Sequence, residues 1–544
     1  MTSLRMRVDG MTCEHCATAV ERALTGASAE SVAVDFRRGE ARADFAGNPQ
    51  ALAAAVQGAG YRPGAVERVE NDGAVMAFPG GGEYDLVAIG AGSTSFAAAI
   101  RAVGLGARVA LVERGTVGGT CVNVGCIPSK HLLAASEAYH HAGHQAFTGV
   151  ATAQLGVDIG ALIGAKDEIV EMLREQKYLD LAEHYGFELI QGSARFTSPA
   201  TIAVNDREIR AERFLIATGA VPWAPPIPGL EEAGYLTSTT AMELADLPES
   251  LVVIGGNYIG LELGQLFANL GVPVTIVEAL DRLAPLEEPE VSAVIEEVLA
   301  EQGVEVVTGA TVVRAEAAAT KVLWARVEGR ERRFAAQEIL VATGRRPALD
   351  GLDLDAAGIA RDERGRLVLD EELRTTNPRV FAAGDVTGSP QFVYVSAAHG
   401  TLAADNAIND AGRRVDYTAL PRVTFTHPNI AAVGLTEAEA QAAGHDVDVR
   451  VLELKDVPRA IVTGETRGLI KLVAERGSGR VLGVHAAAPG AGDVILAGVY
   501  AVKFGLSVQD LAETWAPYLT MAEALKLAAQ TFTSDVARLS CCAA

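Results

Sequence analysis

Two stretches of the chain carry one pattern in register. Residues 84–115 read YDLVAIGAGSTSFAAAIRAVGLGARVALVERG, and residues 249–280 read ESLVVIGGNYIGLELGQLFANLGVPVTIVEAL. In each, an apolar strand runs into a glycine turn, a helix follows, and a second apolar strand ends in an acid. The spacing from Gly90 to Glu113 and from Gly255 to Glu278 is 23 residues in both. A lone glycine fingerprint is weak, but two copies that share strand, helix, strand and terminal acid predict an α/β chain with two dinucleotide-binding domains. Gly90 makes the tight turn, Gly92 lets a pyrophosphate approach the backbone, and Ser95 is small enough for the helix to pack on the strand. The helix N-terminus then stabilises the phosphates. Glu113 is placed to accept hydrogen bonds from ribose hydroxyls. In the second copy Gly255 and Gly260 flank the turn and Asn257 replaces the middle glycine. Glu278 stands where an acid grips a ribose 2′-OH and repels a 2′-phosphate. Taken alone it favours NADH over NADPH, and Arg282 is close enough to soften that preference.

The six cysteines fall into three short-range pairs: Cys13 and Cys16, Cys121 and Cys126, Cys541 and Cys542. Structural disulfides are rare in reducing compartments, so such pairs point to redox chemistry or soft-metal binding. Thiolates favour soft ions such as Cu(I) and, by extension, Hg(II). His15 is nearby, but no second cysteine or histidine pair completes a zinc set.

At 544 residues, 49% hydrophobic and 21% charged, the chain has material for several domains with large cores. No run of 18 or more apolar residues appears, so no membrane span is expected. The first residues lack the apolar segment and cleavage site of a signal peptide, so a cytoplasmic location is expected. A net charge of −23 argues against nucleic acid or an anionic membrane as partner. Only eight of the 46 basic residues are lysine, which fits either salt adaptation or a GC-rich coding sequence.

Residues 1–66 read as a ferredoxin-like β-α-β-β-α-β unit. LRMRVD alternates, CATAVERALTG is a helix closed by Gly26, SVAVDF and EARADF alternate again across a turn at Arg38 and Gly39, and a second helix starts at Pro49. A short final strand lies near 61–66. Residues 67–83 are polar and glycine-rich and read as a flexible linker.

Cys121 and Cys126 sit in GGTCVNVGCIPSK, directly after the first nucleotide unit. Four intervening residues at a helix start place both sulfurs within disulfide reach, and a helix N-terminus lowers a thiol's pKa. Here residues 84–540 resemble the pyridine-nucleotide flavin-disulfide oxidoreductases, whose redox motif is GTCVNVGCIPSK. ATGA (217–220), ATGRRP (342–347) and VFAAGDVTG (380–388) match further motifs of that family. The resemblance implies FAD binding over 84–220 and 347–418, NAD(P)H binding over 221–346, and a dimerisation domain over 419–544. It implies that Gly119, Thr120, Gly219 and Asp385 contact FAD, Asp385 at the ribityl chain, and that Gly344 serves the nicotinamide nucleotide. Cys126 is then the thiolate facing the flavin and Cys121 the outer, exchanging thiol. Lys130 lies near the flavin and pairs with Glu262, and Tyr258 covers the flavin until nicotinamide displaces it.

The substrate is read from a departure. Members that reduce disulfides carry a histidine before proline near the C-terminus, which passes protons to the leaving thiolate. Here the stretch is WAPYLTMAEALK, and Ala516 precedes Pro517. Alanine moves no proton, and no histidine follows His485, so glutathione or lipoamide is disfavoured and Glu523 is left without a catalytic partner. APYLTMAEALKLAAQTF and the terminal LSCCAA instead resemble the mercuric reductases. In that family Tyr518 and, from REQKYLDLA, Tyr178 line the metal site. The tail of one subunit, with Cys541 and Cys542, serves the other subunit's inner pair, so a homodimer is implied. GMTCEHC, with Cys13 and Cys16, resembles heavy-metal-associated domains, a motif specific for the class but not for the metal; copper is the commoner cargo of the module alone, mercury the better fit beside this reductase. The implied substrate is Hg(II), delivered with small thiols or by metal-carrier proteins. A dihydrolipoamide dehydrogenase-like disulfide reductase and a non-enzymatic soft-metal carrier are the alternatives. The first needs the missing histidine; the second leaves two nucleotide sites unexplained.

Overall fold

The computed structural model describes residues 2–11, 14–35, 39–68 and 83–534. The chain divides into two compact units, Met1–Gly81 and Gly82–Ala544. Cys13, Arg38, Cys541 and Cys542, and all but the ends of the expected linker, lie outside the described residues.

In the first unit the order is strand Thr2–Asp9, helix Glu14–Gly26, strands Glu30–Asp35 and Glu40–Phe45, helix Gln50–Gly58, strand Arg62–Arg68. The four strands pair antiparallel, with Thr2–Asp9 between Glu40–Phe45 and Arg62–Arg68. Alternation puts Leu4, Met6 and Val8 on one face, where they bury against Val20, Leu24, Leu52 and Val56 of the two helices. The last strand runs two residues past the expected edge at 66.

The second unit contains three sheets that matter for function. In the first, strands Glu188–Gln191, Val109–Glu113, Tyr84–Ile89 and Arg207–Ile216 run in that order, and Val380–Ala382 adds a parallel edge after a long excursion of the chain. Tyr84–Ile89 is buried along its whole length, as a strand covered on both faces must be. The second sheet repeats the design in parallel strands Glu305–Val307, Val274–Val277, Leu251–Ile254 and Glu338–Val341. The third is a five-stranded antiparallel sheet over 422–488, packed on helices Ala491–Phe504 and Met521–Gln530. Leu496, Tyr500 and Phe504 recur every four residues along the first of these helices and are all more than half exposed, an apolar stripe on one face.

Gly260 shows why the fingerprint needs its last glycine. A Cβ there would lie 1.9 Å from the carbonyl oxygen of Gly255, which the backbone cannot accommodate. Gly260→Ala is expected to destabilise the second nucleotide domain by about 1–3 kcal/mol and to weaken nicotinamide-nucleotide binding. Denaturant unfolding and nucleotide titration of the full chain would check this; wild-type values in both would refute it.

Candidate active site

The redox segment docks on the first glycine turn through backbone alone. The Gly118 N–H donates to the Ala91 carbonyl at 2.8 Å, and a Cβ on Gly119 would sit 2.7 Å from Gly92 Cα. Side chains at these positions would push the segment off the turn. Packed this way, the short helix Gly119–Val124 carries Cys121, Gly125 breaks it, and an 18-residue helix, Cys126–Gly143, begins at the second cysteine. Cys126 therefore sits at the positive end of a helix dipole.

Both thiols are partly buried. The Cys121 thiol hydrogen-bonds to Cys126, and this contact chiefly holds Cys126 down to about 7; burial opposes it, Lys130 assists and Glu262 opposes. The same contact, with burial, pushes Cys121 far above the ordinary thiol range. The pair therefore takes up one negative charge, on Cys126, as pH rises through about 7.

One turn along the helix, Lys130 Nζ lies 2.7 Å from Glu262 Oε2 and 4.6 Å from the centroid of the Phe425 ring. The other Glu262 oxygen accepts the Phe425 N–H at 2.9 Å. Arg345 donates to the Ala220 carbonyl; burial lowers its pKa, while Asp385 and Cys126 favour its charge. Burial raises the Asp385 pKa against Arg345, and its carboxylate accepts the Ser396 hydroxyl at 3.1 Å.

Tyr178 lies in a π-helical turn, Glu175–Leu179, between helices Ile159–Arg174 and Asp180–Tyr185. Such turns re-aim side chains and recur at functional sites. The phenol oxygen is 3.3 Å from Ser93 Oγ, and its ring meets Phe96 edge-on at 4.8 Å. Burial raises the Tyr178 pKa, Ser93 lowers it, and Cys121 and Cys126 raise it further, so phenol and thiols share one electrostatic neighbourhood.

The sequence repeat extends to the hydrogen bonds. Glu113 accepts the N–H of Ala91 at 2.8 Å and of Gly115 at 2.7 Å. Glu278 accepts the N–H of Gly256 at 2.6 Å and of Leu280 at 2.8 Å. Each acid clamps its own glycine turn and has lone pairs to spare. The ATGA and ATGRRP motifs, with Gly219 and Gly344, close the two turns from the same side: Ala217 donates to Ile89 and Ala342 to Ile254, both at 2.9 Å. Arg282 donates to the carbonyls of Pro285 and Glu287 at 3.0 and 3.3 Å.

Tyr258 opens the helix Tyr258–Asn269, and its hydroxyl donates to Glu287 at 3.4 Å. Burial, aided by Glu287, pushes its pKa up to about 12, so it stays a neutral donor. Glu287 is in turn held by Arg422 through bonds of 3.1 and 3.2 Å. Ser93, Phe425, Arg345 and the Glu287–Arg422 pair were not singled out from the sequence. Only Arg345 carried a signal, as part of ATGRRP; the others act through contacts between distant segments.

Near the C-terminus Leu519 has a φ of +59° directly after Tyr518. Its N–H donates to buried Glu523 at 3.2 Å. Glu523, left without a role by the sequence, thus pins the strained turn that presents Tyr518, itself about half exposed. Cys16 stands in the first helix of the N-terminal unit and packs against its core.

The two turns fit their cofactors by an internal test. Ser95 Oγ and Thr218 Oγ1 at the first turn, and Asn257 Oδ1 at the second, are buried without a hydrogen-bond partner among the described residues. Buried polar groups are costly when unpaired, and a dinucleotide bound in each turn would offer partners to such atoms.

Comparison with known proteins agrees with this geometry. Residues 84–400 match the pyridine nucleotide-disulphide oxidoreductase family, 420–529 its dimerisation domain, and 5–62 the heavy-metal-associated domain. A mercuric reductase of Staphylococcus aureus is 47% identical, covering 99% of both chains. One from Bacillus cereus is 48% identical over 99% of this chain and 87% of its own, and one from Streptomyces lividans 54% identical over 85% and 98%. Among solved structures, the Cu(II) complex of the HOCl-induced flavoprotein disulfide reductase RclA from Escherichia coli aligns with a TM-score of 0.75 at 31% identity, over 83% of this chain and 99% of that one. By these identities, sustained over nearly the whole chain, the chain belongs to the mercuric reductases of the pyridine nucleotide-disulphide oxidoreductase family.

Proposed function

We propose that this chain reduces Hg(II) to Hg(0) with electrons from NAD(P)H, and that Cys121 and Cys126 hold the ion while it is reduced. The overall reaction balances as NAD(P)H plus Hg(II) giving NAD(P)⁺, Hg(0) and one proton. The observation that carries the reading is a thiol pair with one member ionising near neutrality, set in a disulfide-reductase frame whose proton-transfer position holds Ala516. A thiolate and a neighbouring thiol suit a linear soft cation, whereas a disulfide substrate would need the absent histidine.

The chain's own residues divide the work. Ser95, Thr218, Glu113, Arg345 and Asp385 suit the FAD site, with Gly90, Gly92, Gly119, Thr120 and Gly219 leaving room for the phosphates. FAD, when bound, accepts a hydride equivalent from the nicotinamide and supplies two electrons. Gly255, Asn257, Gly260, Glu278 and Gly344 suit the nicotinamide nucleotide, and Tyr258 guards the approach. Glu278 favours the unphosphorylated ribose, and Arg282, engaged with two carbonyls, does little to offset it. Lys130, paired with Glu262, favours the Cys126 thiolate. As Hg(II) binds, Cys121 loses its proton and both sulfurs coordinate the ion; the buried phenol of Tyr178 lies in the same electrostatic neighbourhood. On reduction the metal–sulfur bonds break, because Hg(0) has little affinity for thiolate.

The remaining cysteines form a relay. Cys13 and Cys16, or the medium directly, pass Hg(II) to Cys541 and Cys542, which hand it past Tyr518 to the partner's inner pair. Each step trades thiolate for thiolate and is nearly isoenergetic. The dimerisation domain supports the homodimer this requires, and the exposed stripe Leu496, Tyr500 and Phe504 suits a subunit contact. Among the described residues no helix is long and apolar enough to cross a membrane. We place the enzyme in the cytoplasm, where thiols stay reduced and nicotinamide nucleotides are supplied.

The test is Hg(II)-dependent NAD(P)H oxidation by the purified chain, run with each nucleotide and with lipoamide and glutathione disulfide as rival substrates. Hg(II) is expected to accelerate oxidation, with NADH at least as effective as NADPH. Cys121→Ala is expected to remove the stimulation, and the double C541A/C542A variant to lower it sharply when Hg(II) arrives as a bulky dithiol complex. Disulfide reduction without a response to Hg(II) would overturn the reading.

A further inference from the structure

Away from the thiols, the redox helix carries a second set of metal-capable side chains. Glu137 and His141 lie one turn apart near its C-terminal end, and His427 precedes Pro428 between strands Arg422–Thr424 and Asn429–Gly434. One ligand atom from each of the three lies within 4.8 Å of the others. Glu137 Oε1 is 2.8 Å from His427 Nδ1 and 3.5 Å from His141 Nε2. A tetrahedral ion with bonds of about 2.0–2.1 Å to nitrogen and oxygen spaces its ligands about 3.4 Å apart. The spacings from Glu137 to both histidines are therefore close to those of a bound ion, and all three donors lie within 4.8 Å of one another.

Two further contacts point the same way. Gln265 grips the His427 backbone from both sides, accepting its N–H at 2.7 Å and donating to its carbonyl at 2.8 Å. The other ring nitrogen, Nε2, lies 3.3 Å from Glu465. An imidazole held between a ligand position and a carboxylate is the arrangement that fixes tautomer and ring orientation at metal sites. The set is nitrogen and oxygen with no sulfur, which suits borderline divalent ions rather than Hg(II). Two nearby carboxylates, Glu137 and Glu465, also offset a 2+ charge.

We propose that Glu137, His141 and His427 bind one borderline divalent transition cation of the Zn(II) kind, with Glu465 orienting His427. The ion would bolt the redox helix to the C-terminal domain about 16 Å from Cys126, eleven residues along at 1.5 Å each. This is separate from mercury reduction and does not depend on it.

The experiment uses full-length holoenzyme with the Cys121–Cys126 pair oxidised and every other thiol alkylated, titrated with Co(II). One Co(II) per chain is expected, with visible bands of a nitrogen–oxygen site and no sulfur-to-cobalt charge transfer, and Zn(II) should displace it. H141A and H427N should each weaken binding by about 100-fold or more, and E465Q by about 10-fold. His141 lies on a half-exposed helix face, so H141A should keep its FAD and its Hg(II)-dependent turnover, which separates loss of the site from loss of the fold. No stoichiometric binding after alkylation, sulfur charge-transfer bands, or equal affinity in wild type and H141A would overturn the proposal.

Discussion

Cys126→Ser is expected to lower Hg(II)-dependent turnover by about 10³-fold or more, because it removes the one thiolate that the site populates at neutral pH. The residual dithiol function cannot be shared out: Cys121 is pushed far above the thiol range by Cys126 and by burial, so it ionises only as its proton is displaced by metal. The pH dependence follows in sign. Cys126 ionises near 7, so in the reduced enzyme its alkylation rate should fall about tenfold per unit as pH drops below that value, and level off above it. Cys121→Ala removes the largest factor holding Cys126 down, so the midpoint should move upward. Alkylation of Cys126 in the wild type and in C121A, followed by mass spectrometry across pH 5 to about 10, reads both effects. A common midpoint in the two proteins would mean that the helix dipole and Lys130, rather than the Cys121 thiol, set the ionisation.

The largest expected loss of stability lies elsewhere. Lys471 is fully buried, and its ammonium lies 3.0 Å from Glu288, 2.9 Å from Glu290 and 3.0 Å from Glu437. Glu288 also accepts the Glu437 N–H at 2.6 Å, so the network ties the start of helix Pro289–Glu301 to the C-terminal sheet. Burial works against the lysine's charge, but the three carboxylates outweigh it and its pKa is raised. Lys471→Met should cost about 3–5 kcal/mol, because the buried Glu288 carboxylate is left without its cation. The added E288Q change should recover part of that loss. The sign with pH is also set. A raised lysine pKa stabilises fully below the unfolded value near 10.4, and that stability is lost as pH rises through the folded value. Burial opposes Glu290's charge, but Lys471 leaves its pKa lowered, so its share is present above about 4.3 and lost as pH falls. The difference between wild type and K471M should therefore be flat around neutrality and shrink at both extremes. Denaturant unfolding at several pH values measures it; wild-type stability in K471M would show that the network contributes nothing.

These two effects differ in how far the primary structure announced them. GTCVNVGCIPSK is local: spacing, glycines and helix start all lie within twelve residues, and the chemistry can be written from them. Lys471 gave no sign. It sits in a strand that is otherwise apolar along nearly its whole length, LIKLVAE, and only the packing of helix Pro289–Glu301 across the sheet turns it into the centre of an ion cluster. The same holds for Glu287 and Arg422, which support Tyr258 from positions 29 and 164 residues away. Ala516 lies between these cases: a missing histidine is legible, whereas the role of Glu523 in holding the Tyr518 turn became visible only with the backbone in three dimensions.

The amino-acid order alone determined the α/β frame, the two nucleotide turns and the order of the domains, because glycine spacing, apolar periodicity and terminal acids act over a few residues and their physics is local. It also marked the paired thiols and the substrate class they suit. The tertiary structure decided that Glu262 also holds the Phe425 N–H, that Tyr178 sits in a π-helical turn beside Ser93 and Phe96, and that a histidine from another domain meets the end of the redox helix. Those outcomes depend on burial and on charges brought within a few ångströms from distant segments, and hydrogen bonds and Coulomb energies act at that range whatever the separation along the chain.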